Sequence, residues 1–520
     1  MSSNLSATIT ELWPNKSKIL IKNKGLSVKQ LVKSFNKIYF AWNKTYNNYR
    51  FMYKLQIQEL PLFVIVPVNR KEICKLLNLA YKKKLTLRII AGRHSSNIQD
   101  PDFYVDLSEF DKVCLNHIDC QDILIAGGGI NQGRIYEYLF NQNTDKEDKC
   151  HFIHGIKMCH PLYSHCISRL INNSNISSNI SNLSADETNL FPGGSAGSVC
   201  VSGFTTAGGV ASFRRTFGLA IDSVQSFKII VPPNKHCKKA QKLHVTNSNN
   251  QQDLFWALCG GVAANFGIVT EIKYVLPKIN NAVMYSVVWP WDVAKEVLTL
   301  WLQTSPARPV QYNEDISIYT FGNDAGIELG GLYVIPEGQT DAEAIISITA
   351  ELAIYGGILK TQIVTYEQTM TALSDGRVYY PFSATQIYFS SNTIDVDYVI
   401  SQMENAKQLN GLYLFGVELL GGKISVRSPS DTAFYPREAN FFYDIFAFCQ
   451  SSLDINNLSL WVTEFFNHTY NQVTDTVFVG FPIPNLPKHL EAYYGTNKNR
   501  LISIKEKYDT YGVMNYPQGI

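Results

Sequence analysis

Apolar and polar positions change period twice between Leu62 and His94. Leu62–Val66 is an unbroken apolar run closed by Pro67, the pattern of a buried strand. Asn69 with Glu72 three residues on resembles a capping box, and Ile73, Leu76, Leu77, Ala80 and Tyr81 then recur at helical spacing. Leu85–Ile90 reads as a second strand that runs into Ala91-Gly92-Arg93-His94. Strand, helix, strand in about 30 residues predicts a βαβ unit, and parallel sheets place ligands at the C-terminal ends of their strands, where His94 falls.

Further on, Leu124–Ala126 is a short strand leading into Gly127-Gly128-Gly129, and Ser226–Val231 is another. From about 281 the texture becomes strands alternating with amphipathic helices. Helices are expected at Val293–Gln303 and Thr340–Tyr355, strands at Ile316–Tyr319, Gly330–Val334 and Tyr413–Leu419. Such a block predicts a sheet with helices on one face, a separate α+β domain.

The chain has 520 residues, enough for roughly two to four domains at about 100–200 residues each. Its 46 basic and 44 acidic residues leave a formal charge of +2, which gives no bulk attraction to nucleic acid or an acidic membrane. No run approaches the ~18 apolar residues of a membrane span. Met1–Trp13 lacks the order of a secretory signal, and ten cysteines are few for this length. An intracellular setting is expected, or a virion if the Asn-, Ile-, Lys- and Tyr-rich composition marks a large virus.

Three glycine clusters, Ala91–His94, Gly127–Gly129 and Gly203–Gly209, let backbone approach an anionic ligand, but none follows the dinucleotide fingerprint. Residues 143–190 hold a Cys/His-rich stretch, Cys150 to Cys166, and an Asn/Ser tract, Asn172–Ser184, too polar to bury. The cysteines and histidines are ligand types zinc accepts, yet their spacing matches no finger or ribbon, and no metal site is assigned. A surface loop, offering a contact for a homo-oligomer, is the plainer reading, with a disulfide as a third.

The order of motifs carries a resemblance. Arg88-Ile-Ile-Ala-Gly-Arg-His94-Ser and Phe191-Pro-Gly-Gly-Ser-Ala-Gly-Ser-Val199 come first. Gly208-Gly209, Arg214/Arg215, Gly218-Leu219 and Asp222 follow, then Asp253-Leu-Phe-Trp-Ala-Leu with Gly260-Gly261 and Asn265-Phe266-Gly267. Tyr493-Tyr494-Gly495, Asn497, Arg500-Leu501, Lys505, Lys507-Tyr508-Asp509 and Asn515-Tyr516-Pro517-Gln518 close the chain. In this order they resemble the berberine-bridge-enzyme-like oxidases of the vanillyl-alcohol-oxidase/PCMH flavoprotein superfamily.

That resemblance implies an α+β fold: a PCMH-type FAD-binding domain of two α/β subdomains, formed by 1–280 and 456–520. An antiparallel-sheet substrate domain covered by helices, 281–455, would be inserted between them. It implies a flavin bonded through its 8α-methyl to His94 and contacted by Arg88, Ala91, Gly92, Arg93, Ser95, Gly128, Val199, Val201, Gly203, Thr205, Gly208, Gly209, Leu219, Asp222, Val269, Asn515, Tyr516 and Gln518. The chain departs from the family at several of these positions. Ile90 replaces the family arginine and Arg93 the glycine before the histidine. Ala196 stands where many relatives carry a second, cysteinyl attachment, so a single link through His94 and a lower flavin potential are expected; Cys200 falls on a family glycine. Val201 is the small residue that accompanies oxygen access in relatives.

The implied reaction is hydride transfer from an alcohol or carbohydrate hydroxyl to flavin, with O2 reoxidation giving H2O2. Phe481 replaces the tyrosine that serves many relatives as base, and Gly480 the neighbouring asparagine. Glu418, Tyr443 and Asp444 are the candidate replacements. An FAD-binding assembly protein with reduced catalysis is the alternative, and a dehydrogenase using another acceptor is a third.

Overall fold

The computed structural model describes residues 2–52, 54, 59–95, 99–143, 187–374, 382–473 and 476–520. The Cys150–Cys166 and Asn172–Ser184 stretches, and with them the zinc, disulfide and self-association readings, lie outside the described residues. Among the described residues no helix is long and apolar enough to cross a membrane.

The βαβ unit forms around a helix, Arg70–Lys83, whose first turn is capped by the Asn69 side chain accepting from the Lys71 and Glu72 amides. Glu72 reaches back to the Val68 amide at 3.1 Å rather than to that of Asn69. Ile73, Leu76, Leu77 and Ala80 are the buried stripe of this helix. The flanking strands, Phe63–Ile65 and Leu87–Ile90, are not neighbours: Phe103–Asp106, buried throughout, lies between them and runs parallel to both. With Ile38–Phe40 on the outer edge they make a four-stranded sheet.

Packed beside it is a five-stranded antiparallel sheet ordered Val113–Ile118, Gln121–Gly127, Ile268–Val275, Val224–Val231, Gln241–Val245. Ile230 and Ile268 of this sheet share one apolar core with Phe63, Ile73 and Phe103 of the first.

The largest sheet has eight strands in the order Ile358–Val364, Ala282–Trp289, Asp324–Val334, Tyr312–Phe321, Leu412–Leu419, Phe441–Cys449, Phe382–Ser390, Thr476–Val477. Every residue of Phe441–Cys449 is buried, so this sheet is covered on both faces. One face carries helices: Phe465 of Ile455–Val473 stacks on Phe415, and Trp461 meets Tyr413 edge-on. That helix and the Thr476–Val477 strand belong to the eight-stranded sheet by packing and by pairing with Phe382–Ser390. The chain therefore leaves this sheet near residue 478, not at the expected 456, because the apolar face of Ile455–Val473 is matched to aromatic rings on the sheet.

The molecule is an α+β fold.

Candidate active site

Strand alternation decides which side chains of the eight-stranded sheet can meet. Register pairs Asp315 with Glu418 and Gly416 with Asp444, so Asp315, Glu418 and Asp444 project from adjacent strands on one face. Gly416, between them, has no side chain to separate the carboxyls; a Cβ there would lie 3.5 Å from the Cβ of Asp444. Tyr443, one residue from Asp444, projects from the opposite face. Its ring stacks on Tyr388 among the helices and its hydroxyl donates to the Asn392 carbonyl at 2.9 Å. The expectation that Tyr443 joins the catalytic group is corrected by this parity.

The carboxyl face meets the part of the chain built on the two smaller sheets. Arg214, in the short helix Arg214–Phe217, reaches across: Nε donates to Leu419 O at 3.0 Å and Nη2 to Glu314 O at 2.9 Å. The same guanidinium ion-pairs with Asp315 and lies 3.3 Å from Glu418. Asp315 and Asp444 are about 95% buried, whereas the Glu418 side chain keeps 22% of its surface. Around the cluster stand aromatic rings. Phe442 packs on Phe478 and Phe389, and Phe481 meets Phe446 edge-on at 6.5 Å, on the same sheet face two residues from Asp444.

Burial in this apolar enclosure raises all three carboxyls. Asp315 is pushed up from 3.8 to about 7 by desolvation, opposed by Arg214 and helped by Glu418. Asp444 is raised well above its ordinary value by desolvation and then by Glu418 and Asp315. Glu418 is raised by desolvation against the pull of Arg214. Glu314, next to Asp315, points to the other face and is fully paired there by Arg308, Tyr285 and Trp301.

Asp315 and Arg214 were missed as site residues by the sequence reading. The strand was placed at Ile316–Tyr319, one residue short of Asp315. It runs Tyr312–Phe321, and two adjacent acids opening a buried strand were the available signal.

A stability consequence follows. Between about pH 4 and pH 7 the folded state holds a proton on Asp315 that the unfolded chain has released, so stability falls as pH rises through this window. The melting temperature of Asp315→Asn should lose that component of the slope, while wild type retains it.

Two of the glycine-rich segments, 91–95 and 194–200, lie against each other. A Cβ on Gly92 would lie 2.8 Å from the Cys200 amide nitrogen and 2.9 Å from Ser198 O, so only glycine lets the Ala91–Ser95 turn lie against 198–200. There His94 Nε2 is 3.0 Å from Ser198 Oγ. Residues 194–199 are half-exposed between buried Gly193 and buried Cys200, and a Cβ on Gly203 would find no atom within 4 Å. The half-exposed, small-residue backbone at 194–199, with the His94 imidazole beside it, suits an anionic group such as the FAD pyrophosphate.

Other expected contact residues are spent within the protein. Arg88 is buried and paired with Glu59 at 2.6 Å, a carboxylate that also accepts from Tyr104. Arg93 adopts φ 61, the backbone region that suits the glycine of relatives, and its guanidinium is held by Asp106 at 2.6 Å and by Asn48 O. Thr205 bonds Tyr274, and the Gly128 amide donates to Thr270 O, tight against Val269. The Val199 amide donates to Ala196 O, and Val201 is fully buried. Gly208 gives room for the Phe434 ring and Gly209 for the Ala220 methyl. The Leu219 amide donates to Asp222, and Asp222 itself is gripped by both terminal nitrogens of Arg437. Asn515 is exposed, Tyr516 half-buried, and Gln518, at φ 66, bonds the Tyr493 hydroxyl at 3.0 Å. The structure thus brings Gly92 and His94 against the 198–200 segment and Glu418 and Asp444 to the carboxyl cluster.

Comparison with known proteins agrees with this architecture. Residues 477–520 match the family model described as berberine and berberine like. YgaK, an uncharacterised FAD-linked oxidoreductase of Bacillus subtilis, is 23% identical over 485 residues, 91% of this chain and 94% of its own length. Chitooligosaccharide oxidase of Gibberella zeae is 21% identical over 355 residues, 63% of this chain and 68% of that protein. The solved structure of BBE-like 1 of Physcomitrella patens superposes with a TM-score of 0.75 at 17% identity, covering 95% of this chain and 99% of that one. Fold and relatives agree: the chain is similar over most of its length to FAD-linked oxidoreductases, shares the fold of the BBE-like flavoproteins, and carries the berberine and berberine like match in its last 44 residues.

Proposed function

We propose that the protein is an FAD-dependent oxidase that removes hydride from an alcohol or carbohydrate hydroxyl, with Glu418 as the base. The observation that carries this reading is the carboxyl cluster beside Phe481: where the family tyrosine has lost its hydroxyl, a sheet-borne carboxylate stands on the same face. The two smaller sheets with residues after about 478 form the FAD-binding part, and the eight-stranded sheet covers the substrate. Similarity to a chitooligosaccharide oxidase favours a sugar or polyol as donor.

Bound FAD would accept the two electrons and be reoxidised by O2 to give H2O2. The chain's own residues do the rest. Glu418, the solvated member of the cluster, takes the hydroxyl proton as the C–H electron pair leaves and the carbonyl forms; this requires Glu418 to be ionised. Asp315, Asp444 and the surrounding phenylalanines exclude water behind it. His94 would hold the flavin through a ring nitrogen.

Intact mass of the denatured protein tests the anchor. Wild type should carry one FAD and His94→Ala none, with yellow colour retained in the native variant. Oxygen uptake with a panel of sugars and alcohols then tests the reaction. A protein that cannot be loaded with FAD, or that is loaded and is reduced by none of them, overturns the reading.

A further inference from the structure

The carboxyl cluster contains more acid than its cation can balance. Among the described residues Asp315, Glu418 and Asp444 face one guanidinium, that of Arg214, in an enclosure walled by Phe442, Phe446 and Phe478. The other charged groups packed against it are Glu314, whose carbonyl Arg214 holds and whose carboxyl is paired on the far face, and Glu328, on the same face one strand further out. Three anions against one cation would leave an excess of two negative charges out of water, which a folded protein avoids by retaining protons. The hydrogen bonding agrees. Among the described residues Asp444 Oδ1 and Asp315 Oδ2 are buried with no hydrogen-bond partner. An ionised carboxylate pays heavily for such an oxygen, whereas a protonated carboxyl can share its hydrogen with its neighbour.

We propose that Arg214 is a positioning residue for proton transfer: gripping Asp315 and Glu418 from the FAD-binding part, it keeps Glu418 ionised and ready to accept a proton while Asp444 behind it stays neutral. The inference rests on the oxidase reading and deepens it. Arg214 touches neither substrate nor flavin in this role; it acts through Glu418. Because it belongs to the opposite half of the molecule, the base becomes competent only where the two halves meet. Lysine would keep the charge but lose the fork that spans two carboxyls, so Arg214→Lys and Arg214→Gln separate charge from geometry.

Two measurements test this on the full chain loaded with FAD. The first is the pH profile of kcat/KM on a donor found in the uptake screen, which reports the free enzyme's base. Arg214→Gln should move the acidic limb up by about 1–3 pH units, and Arg214→Lys by less in the same direction. The second needs no turnover: the infrared carbonyl band of protonated carboxyls. Wild type should show an Asp444 band near neutral pH that disappears in Asp444→Asn. Arg214→Gln should add a Glu418 band that disappears in Arg214→Gln/Glu418→Gln. Where the Gln variant fails to fold, the Lys variant should show the smaller shift and a partial band. An unmoved acidic limb, or no added band, overturns the role of Arg214. If Glu418→Gln turns over at the wild-type rate, the base assignment falls, and the infrared comparison still decides whether Arg214 sets the protonation.

Discussion

Glu418→Gln is expected to lower kcat by about 10²–10⁴-fold, the usual contribution of a positioned general base, with flavin content and melting temperature close to wild type. Glutamine keeps the shape of the side chain and an oxygen for Arg214 at the 3.3 Å position, but cannot take a proton. Anaerobic mixing with donor, followed at the flavin absorbance, isolates this step from reoxidation by oxygen. In wild type the reductive rate should fall on the acid side at a pH above the ordinary carboxylate range, because desolvation raises Glu418 and protonation removes its capacity as a base. The Gln variant should lose that limb. An unchanged rate would place the base elsewhere, and Phe481→Tyr would then show whether the family's tyrosine position is still wired for catalysis.

Elements whose signal is local were readable from the sequence. The Asn69 cap, the 70–83 helix and the strand Leu87–Ile90 that leads to His94 rest on capping chemistry and periodicity within some 30 residues. The 91–95 turn was readable because Gly92 is dictated by backbone approach, which leaves a mark in the sequence. Glu418 stood out as a lone acid in an apolar strand. Its partners did not, since Asp315 lies 103 positions away and meets it through sheet register, and Arg214 reaches both from another part of the chain. Tyr443 and Asp444 are adjacent in sequence, yet neighbours on a strand point to opposite faces; only the pairing shows which one faces the cluster. The boundary at 456 failed for a related reason. Ile455–Val473 is amphipathic either way, and its place on the sheet is set by Phe415 and Tyr413, some 40 to 50 residues earlier.

Asp222 illustrates how a motif residue can be read for the ligand and serve the fold. Its two carboxylate oxygens accept from Arg437 at 2.9 Å each, and Arg427 adds a third contact at 3.1 Å. The Arg437 side chain is wholly buried, so removing its partner strands a guanidinium out of water. Asp222→Leu should therefore lower stability by about 3–5 kcal/mol, the cost of breaking a buried pair from one side. The loss should appear as a large drop in the melting temperature and as weaker docking of the 422–437 segment onto the FAD-binding part. Pairing it with Arg437→Met removes the stranded charge and should recover much of the loss, since apolar replacement of a whole buried pair is often near neutral. Recovery of stability and flavin retention in the double variant would assign Asp222 to joining the two halves. A double variant that regains stability but not flavin would assign it to the cofactor.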